Sequence, residues 1–177
     1  MQVLKRILIT TAVLLLLLLG AGFLLPGGWQ IERETVIHAP PAAVFPYLNS
    51  LRQWQAWTVW GERHAAASIE FSGPETGPGA TSRWLDRNGR GVVKIMQVRH
   101  DWTVDYEMIY QGVEQPIVGK LVLIPVANGT RVVWRAGTAV GSSPLQRYAG
   151  LLQKYQLGRD IEQSLARLRD RLEAPQR

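Results

Sequence analysis

Cysteine is missing from all 177 residues, which excludes disulfide scaffolds, zinc–thiolate sites and thiol nucleophiles. Histidine is nearly as scarce. His38, His64 and His100 are the three in the chain, and none lies within four residues of another. A two-histidine helical metal motif is therefore absent, and each reads as a surface or strand-edge residue, with no metal implied. Charged residues make up 19% of the chain, with 20 Lys and Arg against 14 Asp and Glu. The basic residues are scattered, whereas a nucleic-acid footprint needs them clustered on one face, so no nucleic-acid partner is expected. The small positive excess suits weak attraction to anionic lipid, or simply a solvated surface. Gly73 to Gly79 is rich in Gly and Pro. It lacks both the strand–GxGxxG–helix context and a Walker lysine, so it reads as a turn, and no cofactor is implied.

Apolar residues, in contrast, are abundant and unevenly spread. Ile7 to Leu25 is a run interrupted only by Thr10, Thr11, Gly20 and Gly22. As a helix it would span about 28 Å, close to the thickness of a bilayer's hydrocarbon layer. Lys5 and Arg6 precede it, which favours a cytoplasmic N-terminus, and Trp29 follows where an interfacial aromatic would sit. A cleaved secretory signal is the rival reading, with Gly20 and Gly22 before the cut. The apolar stretch is longer than such signals use and continues through Phe23, Leu24 and Leu25. The expected organisation is a basic end (1–6), a single transmembrane helix (7–25), a juxtamembrane linker (26–29), a domain (30–172) outside the cytoplasm, and a tail (173–177).

From Gln30 the pattern changes to period two, predicting a first strand that ends at Ala39. Pro40-Pro41 stops it, and Pro41 begins a helix through Val44, Phe45, Leu48 and Leu51. Trp54, Trp57 and Trp60 follow at helical-turn spacing. Six strand-like segments come next: Ser68–Ser72, Ala80–Arg87, Gly91–Arg99, Trp102–Gln111, Ile117–Val126 and Thr130–Val140. Asn88-Gly89 and Asn128-Gly129 are hairpin signals between neighbours. Asn128-Gly129-Thr130 also matches a glycosylation acceptor, but a turn explains it better. Short turns between successive strands imply one antiparallel sheet, with the first strand as its seventh. At the end of the chain, Ser143-Pro144 opens a helix. Leu145, Tyr148, Leu152 and Tyr155 share one face; Ile161, Leu165, Leu168 and Leu172 share another, roughly 150° around at 100° per residue. Burying both against one sheet requires a kink or break near Gly158, where Asp160 and Gln163 resemble a capping pair.

Strand, two short helices, six antiparallel strands and a long final helix form the helix-grip arrangement, an α+β fold. The segments Ile31-Glu32-Arg33-Glu34-Thr35-Val36-Ile37-His38-Ala39-Pro40-Pro41-Ala42-Ala43-Val44-Phe45, Leu51 to Trp57, Ser72 to Ala80 and Gly158 to Leu165 resemble the SRPBCC/START-like superfamily, particularly its polyketide cyclase/dehydrase branch. The resemblance covers most of residues 30–172 and extends to members with one N-terminal membrane helix. It implies a seven-stranded curved sheet wrapped around the last helix, enclosing an apolar cavity. It fixes no single reaction.

Alternation places Trp84, Tyr106, Met108, Tyr110, Leu121, Leu123 and Trp134 on the inward face with Val93 and Ile95, while Arg83, Lys94, Glu107, Lys120 and Arg135 point out. These seven are the candidate cavity residues, with the Tyr106 and Tyr110 hydroxyls offered to an otherwise apolar guest. Cyclisation or dehydration needs an acid–base pair. Tyr106 could serve as acid, but no inward carboxylate or histidine stands out as base, so no catalytic residue is assigned. The first expectation is a membrane-anchored, non-catalytic module binding a hydrophobic or lipid-like small molecule. The alternatives are a polyketide cyclase/dehydrase-like enzyme and a protein-interaction module with a filled core.

Overall fold

The computed structural model describes residues 2–63, 67–86, 89–111 and 115–174. His64 and Asn88 lie outside them, as does most of the 173–177 tail. An apolar helix, α1 (Gln2–Gly22), leads into strand β1 (Gly28–Ile37). Three short helices follow: α2 (Pro41–Leu48), α3 (Leu51–Trp57) and α4 (Val59–Arg63). Strands β2 (Ser68–Ser72), β3 (Thr81–Asp86), β4 (Gly89–Arg99), β5 (Thr103–Tyr110), β6 (Ile117–Val126) and β7 (Gly129–Ala139) come next, and α5 (Pro144–Glu173) ends the chain. The sheet is antiparallel throughout, in the order β1-β7-β6-β5-β4-β3-β2. The curved sheet and the long final helix make this an α+β helix-grip fold.

Helix α1 is long and apolar enough to cross a membrane, a property it shares with signal sequences. The helix expected from Pro41 through Leu51 is instead divided. The Trp54 indole donates to the Leu48 carbonyl at 2.9 Å and the Trp57 indole to the Tyr47 carbonyl at 3.0 Å. These bonds cap the end of α2 and turn α3 across it. The β6–β7 turn also sits one residue earlier than Asn128-Gly129 suggested, since Val126 pairs with Gly129. Gly129 has φ 141°, and a Cβ there would lie 2.1 Å from the Ile37 carbonyl oxygen. Glycine is thus required for the end of β1 to lie against this corner.

The expected break near Gly158 is not present: α5 runs unbroken from Pro144 to Glu173, behind a Ser143–Gln146 capping box. Apolar residues alone mislead about which face of its first half is inward. The inward stripe is continued there by Gly150, which is buried, and by Gln153, whose side chain accepts a 3.3 Å hydrogen bond from the Trp29 indole. A Cβ on Gly150 would meet Val140 at 2.6 Å. One straight face therefore runs from Gln153 through Leu157, Ile161, Leu165 and Leu168, and Leu145, Leu152 and Tyr155 remain exposed. Asp160 caps no second helix; it pairs with Arg63 of α4.

The core lies between the concave sheet face, α2–α3 and the second half of α5. Ile37, Leu48, Leu51, Trp57, Ile95, Leu121 and Ile161 are almost wholly buried within it. The two described histidines lie outside this core. His38 contacts Glu173 at 2.7 Å, joining the end of β1 to the end of α5. The His38 backbone N–H and ring hold the Glu173 carboxyl below its usual pKa. His100 lies beside Asp101, with its ring against Phe45.

Candidate functional site

All seven candidate residues face the concave side, but they divide into two groups. Tyr106, Leu121, Leu123 and Trp134 are fully buried and filled around. The Trp134 indole donates to the Tyr106 hydroxyl at 2.8 Å. Trp134 also contacts Trp54, Trp57 and Trp60 with ring centroids 5.8, 5.5 and 5.7 Å away. These rings occupy the centre of the grip. The expectation that the Tyr106 hydroxyl meets a guest is therefore replaced by an internal role, because its partner is Trp134.

Trp84, Met108 and Tyr110 belong to the second group. With Leu51, Trp54, Gln55, Thr58, Trp60, Ile69, Ser82 and Val93 they line a cavity of about 40 Å³ between α3–α4 and strands β2–β5. Trp84 and Tyr110 are half-buried and meet edge-to-face, 5.5 Å between centroids. Trp84 lies over Gly91, its cross-strand partner, and Tyr106 lies over Gly119 in the same way. In both pairs an aromatic ring covers the backbone that glycine leaves bare.

Sequence reasoning missed the helical half of this lining. Trp54 and Trp60 stood out by spacing, but α3 ends at Thr58, whose hydroxyl donates to the Trp54 carbonyl at 2.8 Å and accepts from the Gly61 N–H at 3.2 Å. That turn swings Trp60 to the cavity rim. The signal for Ser82 was available: it precedes outward Arg83 and is buried on the pleat where β3 meets β4.

Behind Tyr110 lies a charged pair that sequence reasoning also missed. Both terminal nitrogens of Arg63 donate to the Asp160 carboxylate at 2.8 Å, fastening α4 to α5. Nearby, Ser164 Oγ accepts from the Val59 N–H at 3.0 Å and donates to the Asp160 carbonyl at 2.7 Å. Burial pushes both the Tyr106 and Tyr110 phenols well above their ordinary pKa, and the Asp160 charge adds to the shift at Tyr110. Each is thus a weaker acid than free tyrosine. Among the described residues, no three His, Asp or Glu side chains gather as a metal-ligand set.

A curved sheet around a long helix, with an apolar hollow at one end, is the helix-grip architecture. The sequence profile of the family described as "Polyketide cyclase / dehydrase and lipid transport" matches residues 28–173. The chain belongs to that family. No curated protein matches it significantly. Solved structures share the fold at low identity. Protein CV1439 from Chromobacterium violaceum is 15% identical, with TM-score 0.56, 82% of this chain covered and 98% of that one. Ara h 8.0201 is 19% identical, with TM-score 0.55 and coverage of 82% and 98%. DynU16, described as a putative protein in the dynemicin biosynthetic locus, is 17% identical, with TM-score 0.57; the match covers 82% of this chain and 47% of that longer one.

Proposed function

We propose that this protein is a membrane-anchored binding module that takes a hydrophobic or lipid-like molecule into the cavity bounded by Trp60, Trp84, Met108 and Tyr110, without transforming it. The supporting observation is the composition of that lining, apolar walls with Gln55, Thr58, Ser82 and Tyr110 as the few polar groups. A cavity of about 40 Å³ holds only a few waters. A guest must therefore displace the half-buried rings of Trp60 and Trp84, and binding is coupled to opening. The non-catalytic reading draws on the charge arrangement. The Asp160 carboxylate is fixed in a bidentate pair with Arg63, and the buried phenols resist ionisation, so among the described residues no free base faces the hollow. In this reading α1 stays in the bilayer with Lys5 and Arg6 on the cytoplasmic side, which places the domain on the other side.

The small volume favours a second reading, a protein-interaction module whose core is already full. Native mass spectrometry of the detergent-extracted chain separates the two. A bound apolar adduct on the parent, lost in Ser82→Leu, supports the binding module. A parent without an adduct that also fails to enhance an apolar fluorophore supports the filled core.

A further inference from the structure

The first half of α5 carries an apolar face that the rest of the fold leaves uncovered. Leu145, Leu152 and Tyr155 are 72%, 57% and 64% exposed, and Leu151 and Tyr148 flank them. This face is fastened to the end of α1. The Tyr148 hydroxyl donates to the Leu18 carbonyl at 2.8 Å, one helical turn before Gly22. Arg147 donates to the carbonyls of Phe23 and Leu25, where the apolar run leaves its helix. Gly22 permits the approach, since a Cβ there would lie 2.5 Å from the Pro144 side chain.

These contacts set a depth. If α1 spans the bilayer, Leu18 lies inside the hydrocarbon edge, and Tyr148 reaches its carbonyl from the interfacial side, where amphipathic rings are favoured. The helix bearing that tyrosine has the same origin, so its exposed leucines begin at the level of the lipid headgroups. Arg147 meanwhile supplies donors to carbonyls that would otherwise be left unpaired in a medium without water. Lys154 and Arg159 lie along the same stretch of α5, with Arg159 over the Tyr155 ring at 5.9 Å. Basic side chains beside an apolar face suit anionic headgroups.

We propose that the first three turns of α5, through Leu145, Leu152 and Tyr155, lie in the interfacial layer of the same bilayer that holds α1. The domain is then seated on the membrane at a fixed angle by two elements, α1 across the bilayer and α5 along its surface. This inference rests on the anchor reading of α1, and its test keeps the two apart.

The parent chain has no cysteine, so single-cysteine variants of the full chain carry one label each. Leu15→Cys, Leu145→Cys, Leu152→Cys and Asp170→Cys are labelled with an environment-sensitive fluorophore. They are then reconstituted in phosphatidylcholine–phosphatidylglycerol vesicles containing lipids with a quencher near the headgroup or deep in the chain. Leu15 should respond to the deep quencher. Labels at 145 and 152 should shift to shorter wavelength and lose emission to the shallow quencher, while the label at 170 does neither. If Leu15 is quenched but 145 and 152 behave like 170, the seat is overturned and the anchor stands. If 170 is quenched as strongly as 152, the contact is not specific to this face and the proposal fails. If Leu15 is not quenched, the anchor reading fails and the seat fails with it.

Discussion

The Trp134 indole hydrogen-bonds the Tyr106 hydroxyl across the buried centre of the sheet, 2.8 Å apart on strands separated by β6. Both residues are essentially inaccessible to solvent. Tyr106→Phe removes the acceptor and leaves the indole N–H unpaired in the core. The expected cost is about 1–3 kcal/mol, read from denaturant unfolding of the full chain in mild detergent. A variant as stable as the parent would mean that the bond contributes nothing net.

Gly119 and Gly91 make a paired test of how firmly their covering rings are held. A Cβ on Gly119 would lie 2.0 Å from the fully buried Tyr106 ring. Gly119→Ala should cost about 3 kcal/mol, because the ring has nowhere to go. A Cβ on Gly91 would meet Trp84 at 2.1 Å, but Trp84 is half-buried and can swing outward. Gly91→Ala should cost about 1 kcal/mol and raise the fraction of tryptophan emission that an aqueous quencher can reach. Equal costs would show that Trp84 is held as rigidly as Tyr106.

Gly158 lies in the interior of a continuous helix, and a Cβ there would meet only Arg33, at 3.2 Å from a terminal guanidinium nitrogen. That side chain is half-exposed and can move. Gly158→Ala should therefore stabilise the chain by about 1 kcal/mol, seen as a rise in Tm. A loss would show that this helix bends in solution.

The buried phenols make the fold sensitive to alkali. Burial raises the pKa of Tyr106 and Tyr110 in the folded protein above the ordinary value of 10. Their contribution is fully present below pH 10 and is lost as pH rises through the folded values. Between pH 10 and the folded values stability should fall by about 1.4 kcal/mol per pH unit for each phenol. Denaturant midpoints at pH 9, 10 and 11 check the slope, and Tyr110→Phe should reduce it.

The sheet was legible in the sequence because its period-two alternation is a local signal: Tyr106 and Met108 face in while Lys120 and Arg135 face out, as their neighbours require. The division at Asn49-Ser50 was not, because it depends on Trp54 and Trp57 reaching back to carbonyls of the preceding helix. Nor was the continuity of α5. Its inward stripe passes through Gly150 and Gln153, a small residue and a polar one, so hydrophobicity marks the opposite face. The partnership of Tyr106 with Trp134 depends on register across β5, β6 and β7, which no single strand reveals. The cavity is half helical for the same reason: tertiary contact decides which side of α3 and α4 meets the strands.

Strands β1 and β2 are consecutive in the chain yet form opposite edges of the sheet. Helices α2–α4 carry the backbone from one edge to the other across the open face. Helix α1 leads into β1, whereas the hollow lies beneath β2–β5. Five strand spacings separate β1 from β3, about 24 Å along the sheet. In the proposed anchored role, a molecule lodged against Trp84 would sit nearly a bilayer's thickness along the sheet from the edge that α1 joins. In that reading, whatever exchanges guests would approach the far rim without displacing α1 from the bilayer.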